Sequence, residues 1–199
     1  MSSASTTMRA CLVAIAAMAA QGCAGGDAPG SDTSGPRSAA AAGAELTCGV
    51  GPRTTLTGDG IGDLRVGASV DDVRRACRVL RDTTAMGAEA MHERTLLVHL
   101  GRDSVTAVID SGRVWRVHVR RPAFRTADSL GVDTPASALD RPGAQVLTGE
   151  GTVFVRAPSH CGLSFRIRGA FPPGGASVSQ LPAGALVDEI LAIGCTGTR

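Results

Sequence analysis

The stretch GRVWRVHVRRPAFR carries the residues of this sequence best suited to binding chemistry. If residues 113–119 form a strand, its side chains alternate between two faces, which places Arg116, His118 and Arg120 together on one of them. Guanidinium and imidazole groups side by side could bind an anion such as a phosphate or a carboxylate. Trp115 falls on the other face and is predicted to join the core. An ordinary half-buried strand with a solvated basic face has the same pattern.

A second set of reactive residues, Ser159, His160 and Cys161, is consecutive in the chain. On a strand, consecutive side chains point to opposite faces, whereas a nucleophile and its base must lie within hydrogen-bonding reach. The sequence also has no catalytic or nucleotide-binding signature such as GxSxG, HExxH or a P-loop. We therefore predict that the protein is not an enzyme and has no cofactor. A hydrolase using His160 or His118 is the least favoured hypothesis, since such sites arise without recognisable motifs.

The Asp/Gly-rich stretch TGDGIGDLRVGAS, residues 57–69, resembles part of a calcium-binding loop. Asp59 and Asp63 match its second half, but Thr55 and Thr57 stand where the ion needs charged oxygen ligands. We therefore interpret this stretch as a turn that leads into a helix. The histidines and cysteines show no CxxC or HxxxH spacing either, so no metal site is predicted.

Four cysteines remain after the N-terminal region: Cys48, Cys77, Cys161 and Cys195. An even number in an exported domain indicates two disulfides rather than a metal site. Three connectivities are possible. The favoured one is Cys48–Cys77 with Cys161–Cys195, because each bond then stays within one half of the domain and closes a loop of about 30 residues.

Two stretches, beginning at Leu64 and Ser129, look like copies of one unit. In each, a glycine precedes a helix-capping residue, Ser69 or Thr134, and a short helical pattern follows. In the first copy the spacing of the apolar residues is helical, in a stripe formed by Val70, Val73, Cys77 and Leu80. The second copy has proline at the first helical position, which also favours a helix.

Strand-like runs follow each predicted helix, and short Gly-containing turns separate them, which is typical of antiparallel meanders. The runs are 95–100, 105–110 and 113–119 in the first half, and 144–148, 152–156 and 162–168 in the second. A last run, 186–195, fits either a helix or a strand, and a strand is favoured. The predicted fold is therefore α+β. It has two tandem units, approximately 45–121 and 122–199, each a short helix packed on a three- to four-stranded antiparallel sheet.

The segment Val66-Gly67-Ala68-Ser69, with the following helix and three strands, resembles small envelope lipoproteins of the SmpA/OmlA type. In that family a Gly-Met-Ser/Thr turn opens a helix that packs on a three-stranded sheet, and here Ala68 replaces the methionine. The duplication is similar in outline to the tandem-repeat β-lactamase inhibitor protein. These resemblances imply a non-catalytic protein that works by binding other proteins.

The N-terminal region has the pattern of a secretory signal: Arg9, an apolar run and then QGC ending at Cys23. Because a cysteine closes this pattern, the segment resembles a bacterial lipoprotein signal, which implies removal of residues 1–22 and lipidation of Cys23. Residues 24–44 are rich in Gly, Ala, Ser and Pro and should form a flexible tether. The folded α+β domain is expected to span 45–199.

The charge pattern excludes one class of partner. The chain has 20 basic residues, all arginine, and 18 acidic residues, for a net charge of +2. This near balance is not the footprint of a nucleic-acid-binding protein.

The lipoprotein-like signal, the tether, the predicted duplication and the missing catalytic motifs together predict the function. We expect a lipid-anchored cell-envelope protein, on an outer membrane facing the periplasm, that binds an envelope protein partner. The alternative is a small-ligand or anion-binding module that uses Arg116, His118 and Arg120.

Overall fold

Short strands dominate the protein, because apolar and β-branched residues alternate with polar ones along most of its length. The computed structural model describes residues 46–86, 91–149, 151–169 and 176–195, which belong to the compact unit Gly43–Arg199. The strands and the α-helix of these ranges are β1 Gly60–Ile61, β2 Leu64–Arg65, α1 Val70–Ala76, β3 Arg78–Met86, β4 His92–Leu100, β5 Asp103–Asp110, β6 Arg113–Val119, β7 Gln145–Gly149, β8 Thr152–Arg156, β9 Leu163–Arg168 and β10 Leu186–Ala192. Three short 3-10 turns lie at Ala136–Leu139, Pro158–His160 and Val178–Gln180.

Strands β3 to β10 form one eight-stranded antiparallel sheet in the order β3-β4-β5-β6-β10-β9-β8-β7. Strand β10 pairs with β6 on one side, where Leu191 lies opposite His118, and with β9 on the other, where Ile190 lies opposite Phe165. The last strand of the described chain therefore joins the meander β3–β6 to the meander of β7, β8 and β9.

The predicted α+β class, with two tandem helix-on-sheet units, is wrong, because the described residues are mostly β. The sheet is continuous across the two halves, and the described residues contain one α-helix. The second predicted helix is a four-residue 3-10 turn, Ala136–Leu139. The first helix ends at Ala76, before the predicted stripe ends at Leu80, because Cys77 has an extended backbone and the chain then pairs with β4 as strand β3.

One face of the sheet carries the hydrophobic core, and α1 and the connecting loops cover it. Helix α1 contributes Val70 and Val73. The fully buried sheet residues include Leu96, Val117 and Phe165. Together these side chains form a single cluster, so the opposite face of the sheet lies outside the core.

The structure contains two disulfides, Cys48–Cys77 and Cys161–Cys195, in the connectivity that the sequence favours. Cys48 and Cys77 are buried, at 0% and 1% exposure. Cys161 and Cys195 are exposed. The two bonds therefore differ in their access to solvent, although they close loops of similar length.

The Asp/Gly-rich stretch 57–69 is a turn, as predicted. It forms the β1–β2 hairpin, in which Gly60 pairs with Arg65, and it ends at the cap of helix α1. Asp59, one of the two candidate calcium ligands, accepts a hydrogen bond from the backbone N–H of Cys195 at 3.2 Å. Its carboxylate therefore holds the end of the chain segment that follows β10.

Ser69 caps helix α1, and replacing it by alanine should destabilise the protein by about 1 kcal/mol. The Ser69 hydroxyl accepts a hydrogen bond from the Asp72 N–H at 3.1 Å, which satisfies one free donor of the first turn. Urea unfolding would measure the loss. Ser69→Thr is the matched control and should stay close to wild type, because threonine keeps the accepting oxygen. Equal losses in both variants would contradict the capping role.

The predicted signal, the lipidated Cys23 and the tether lie outside the described residues. In the ranges that the structure covers, no helix is long and apolar enough to cross a membrane.

Candidate functional site

A bulge in the β5–β6 pairing turns Trp115 out of the core. Ile109 of β5 lies opposite Val114 of β6, and its neighbour Val108 lies opposite Arg116. Trp115 therefore has no partner on β5 and is the extra residue of the bulge. Val114 consequently faces the core and Trp115 is 52% exposed. The prediction of a core tryptophan is wrong, because the bulge interrupts the strict alternation on which it rested.

The predicted residues Arg116, His118 and Arg120 do lie together, on the open face of the sheet. His118 and Arg120 both contact Glu189 of β10: His118 Nδ1 and Arg120 Nε each lie 2.7 Å from its Oε1. Arg166 of β9 lies 2.7 Å from its other oxygen, Oε2. Glu189 is 2% exposed overall, so this carboxylate is the buried centre of a network that spans three strands.

The Glu189 network favours the ionised carboxylate. Burial of Glu189 raises its pKa, but the hydrogen bond and charge of His118, followed by those of Arg120, outweigh this effect and lower the pKa to about 2. An ionised carboxylate only accepts hydrogen bonds, so the proton of the 2.7 Å contact lies on His118 Nδ1. In the neutral ring this leaves a lone pair at Nε2, whereas the protonated ring carries a second N–H there.

Arg116 has two partners and one unmet donor. One of its terminal nitrogens donates to Glu93 Oε1 at 2.8 Å, and its guanidinium lies 4.3 Å from the centre of the Trp115 ring. Its Nε, like His118 Nε2, is buried without a hydrogen-bond partner among the described residues. Buried polar groups are normally paired, so these two atoms indicate a place where a ligand or water would complete the hydrogen bonding.

These side chains line a groove of about 530 Å³ on the open sheet face, which we call the sheet-face groove. Its apolar lining includes Met91, Trp115, Phe154 and Leu191. A second cavity, of about 280 Å³, also contains His118 and Arg120 and continues toward β4 and β5. The depression is therefore elongated across the strands.

Sequence reasoning found the arginine and histidine members of this site but missed its carboxylates. Glu93 and Glu189 pair with the predicted cations, and Arg166 adds a third cation with its own partner, Asp188, at 2.7 Å. No local signal identified Glu189, because its orientation depends on a register shift between Val187 and Glu189 in the β10–β9 pairing.

The consecutive residues Ser159 and His160 form a second polar cluster, in the connection between β8 and β9. They lie in the 3-10 turn Pro158–His160, not on a strand. Ser159 Oγ is 2.9 Å from His160 Nδ1, and His160 Nε2 is 3.0 Å from Asp128 Oδ1. The expectation that the serine and histidine point apart is therefore wrong. Pro158 was the missed signal, since proline favours a turn here.

Asp128 is held firmly in this cluster. The Thr126 hydroxyl donates to its Oδ1 at 2.6 Å, and Arg141 lies 2.6 Å from Oδ2. The cluster lines a cavity of about 460 Å³ that also contains Leu56, Leu163 and both cysteines of the exposed disulfide. We call Ser159, His160 and Asp128 the Ser159 cluster.

Comparison with known proteins gives the fold alone. No family model matches the chain, and no curated protein matches it. A solved structure, that of the uncharacterized protein yfeY from Escherichia coli, is similar with a TM-score of 0.52 at 19% sequence identity. The match covers 69% of this chain and 98% of that one. At this level of identity the likeness shows that the two chains share a fold.

Proposed function

We propose that the protein is a lipid-anchored cell-envelope protein that binds a segment of a partner protein in the sheet-face groove. The observation that carries this proposal is Trp115, an exposed tryptophan set at a concave, elongated groove beside Arg116. Tryptophan, arginine and methionine are enriched at protein interfaces, and a few such residues supply most of the binding energy. A partner that buries Trp115 would therefore gain much of its binding energy from this side chain.

The unpaired atoms of the groove suit a peptide better than a simple anion. Arg116 Nε can donate a hydrogen bond, and His118 Nε2 can accept one in the neutral ring or donate one in the protonated ring. A peptide backbone offers both a carbonyl and an N–H. A simple anion offers acceptors alone, and the guanidinium groups of Arg116 and Arg120 are already paired with Glu93 and Glu189. The elongated shape of the depression also suits an extended segment.

The envelope location is supported by the two disulfides, which form and persist in oxidising compartments outside the cytosol. The lipobox-like QGC sequence supports an anchor at Cys23, and the Gly/Ser/Pro-rich residues 24–44 would then separate the domain from the membrane. An outer-membrane position facing the periplasm is part of the same proposal.

The test is a cross-linking pull-down of the full-length protein from its own membranes, with mass spectrometry of the captured proteins. We expect one stoichiometric partner, and we expect Trp115→Ala to reduce its capture at least about 10-fold, as for the loss of an interface hot spot. Leu80→Ala is the matched control, because Leu80 is 46% exposed on the edge strand β3, away from the groove. Cys23→Ser tests the need for the anchor.

Intrinsic fluorescence gives an independent measurement. Trp115 is the single tryptophan of the chain, which has no tyrosine, so its emission reports on the groove directly. A purified partner should shift the emission of Trp115 to shorter wavelength. Equal capture by wild type and Trp115→Ala, with no change in emission, would rule out this groove as the binding surface.

A small anion is the second candidate ligand, because three arginines and His118 line the groove. It predicts that phosphate or a small carboxylate raises the melting temperature of wild type, and that Arg116→Ala with Arg120→Ala removes this effect. The absence of stabilisation in a broad anion screen would eliminate this candidate and leave the protein-segment proposal standing.

A further inference from the structure

The Ser159 cluster is a hydrogen-bonded chain of nucleophile, base and carboxylate. Ser159 Oγ, the two ring nitrogens of His160 and Asp128 Oδ1 are linked by contacts of 2.9 and 3.0 Å. The His160 side chain is 10% exposed and meets the ring of Phe165 edge-on, with the ring centroids 5.8 Å apart. Since Phe165 is fully buried in the core, the imidazole packs against the core of the sheet.

The direction of the two hydrogen bonds follows from the state of Asp128. The Thr126 hydroxyl, and then His160, hold the pKa of Asp128 well below its usual range despite the opposing effect of burial. An ionised Asp128 can only accept, so the hydrogen of the contact lies on His160 Nε2. In the neutral ring Nδ1 is then an acceptor, and the Ser159 hydroxyl donates to it. This is the protonation pattern that a general base needs.

We propose that Ser159 is a nucleophile, with His160 as its general base and Asp128 as the positioning residue, and that the site hydrolyses small carboxylic esters. This activity would be separate from binding in the sheet-face groove, with which the Ser159 cavity shares no residue. It departs from the expectation that the protein is not an enzyme, which rested on missing sequence motifs.

The chemistry is a two-step acyl transfer. The Ser159 oxygen attacks the ester carbonyl carbon while its proton passes to His160 Nδ1, and Asp128 stabilises the resulting imidazolium through Nε2–H. His160 then gives the proton to the departing alkoxide, which leaves as an alcohol. Water, deprotonated by His160, attacks the acyl-serine in the second step. This releases a carboxylic acid and restores the Ser159 hydroxyl.

The adjoining cavity limits the substrate. Its volume is about 460 Å³, and the apolar side chains of Leu56 and Leu163 line it beside the polar cluster. Arg141 lines it too, with its guanidinium paired to Asp128. These features suit an ester with a short apolar acyl group.

A purely structural cluster would have the same hydrogen bonds, because Asp128 also joins Arg141 to the segment containing Thr126. The experiment must therefore measure the reactivity of the Ser159 oxygen. The full chain is treated with a fluorophosphonate probe, the modified residue is identified by mass spectrometry, and hydrolysis of p-nitrophenyl acetate is followed in parallel. We expect modification at Ser159 and ester hydrolysis that Ser159→Ala abolishes.

The matched control is Ser179→Ala, because Ser179 is also exposed, lies in a 3-10 turn and makes a hydrogen bond, to Ser177 at 2.9 Å. It should keep full activity. Asp128→Asn should lower kcat by roughly 100-fold or more with KM little changed, since the amide keeps the size of Asp128 in the cavity lining but no longer stabilises the imidazolium. If Asp128 had a structural role alone, its replacement would not lower kcat while leaving KM little changed. Absence of probe on Ser159 in the folded wild type, or unchanged hydrolysis by Ser159→Ala, would overturn the proposal.

Discussion

Glu189→Gln should destabilise the protein by about 3 kcal/mol, because it removes the charge on which a buried network depends. His118, Arg120 and Arg166 all contact this carboxylate, whose side chain is 3% exposed. The expected loss is at the low end for a broken buried pair. Arg120 is 63% exposed and can be solvated, and Arg166 keeps its contact with Asp188.

Urea unfolding at neutral pH would measure this loss. Asp72→Asn is the control, since it removes a carboxylate from an ion pair with Arg75 in which both side chains are more than half exposed. Such exposed pairs contribute little to stability. A similar change in both variants would mean that the Glu189 network contributes no more than a surface pair.

The same carboxylate predicts a pH dependence of stability. Its folded pKa of about 2 lies below the ordinary value of 4.5. Its contribution is therefore complete above pH 4.5 and is lost as the pH falls from there toward the folded pKa, because the unfolded chain binds the proton first. Wild type should lose more stability than Glu189→Gln between about pH 6 and about pH 3. Parallel losses in both would contradict this assignment.

Removing the buried disulfide with Cys48→Ala and Cys77→Ala should cost about 3–4 kcal/mol of unfolding free energy. The two cysteines are 29 residues apart, so the bond restricts the unfolded chain over the whole segment that contains the β1–β2 hairpin and helix α1. A backbone hydrogen bond lies beside this disulfide, where the Cys48 N–H donates to the Ala76 carbonyl at 3.0 Å. Chemical denaturation of the double variant would measure the loss.

The second disulfide is a matched comparison, since Cys161 and Cys195 are separated by 34 residues. The similar loop length predicts a similar stability loss when this bond is removed. The order of reduction should differ, however, because thiol–disulfide exchange requires access to a sulfur atom. A limiting reductant followed by alkylation should label Cys161 and Cys195 in the native protein and leave the buried pair intact. Early labelling of Cys48 or Cys77 would contradict this prediction.

Local patterns in the sequence predicted most strands well. The alternation in residues 95–100, 105–110 and 113–119 corresponds to β4, β5 and β6, and the short turns between them gave the correct antiparallel meander. Strand β3 was missed, because Val73, Cys77 and Leu80 have helical spacing. The disulfide at Cys77 and pairing with β4 override that spacing. Tertiary contacts of this kind leave no local signal.

For the candidate sites, too, local patterns predicted which residues share a face of a strand but not the contacts between distant segments. Alternation grouped Arg116, His118 and Arg120 correctly, since all three follow the bulge, but it misplaced Trp115, which forms it. The Ser159 cluster brings together residues 32 positions apart in the chain. Its geometry depends on how the Asp128 segment packs against a 3-10 turn, and no pattern within either segment encodes that contact.

The central place of β10 has a consequence for how the protein forms during synthesis. Strand β6 leaves the ribosome well before β10, because three other strands lie between them along the chain. Until β10 arrives, one edge of β6 and one edge of β9 have no strand to pair with, and such edges can bind other chains. The nascent protein therefore passes through a stage in which two separate meanders with open edges must avoid aggregation. A chaperone that holds the emerging chain would be most useful during that interval.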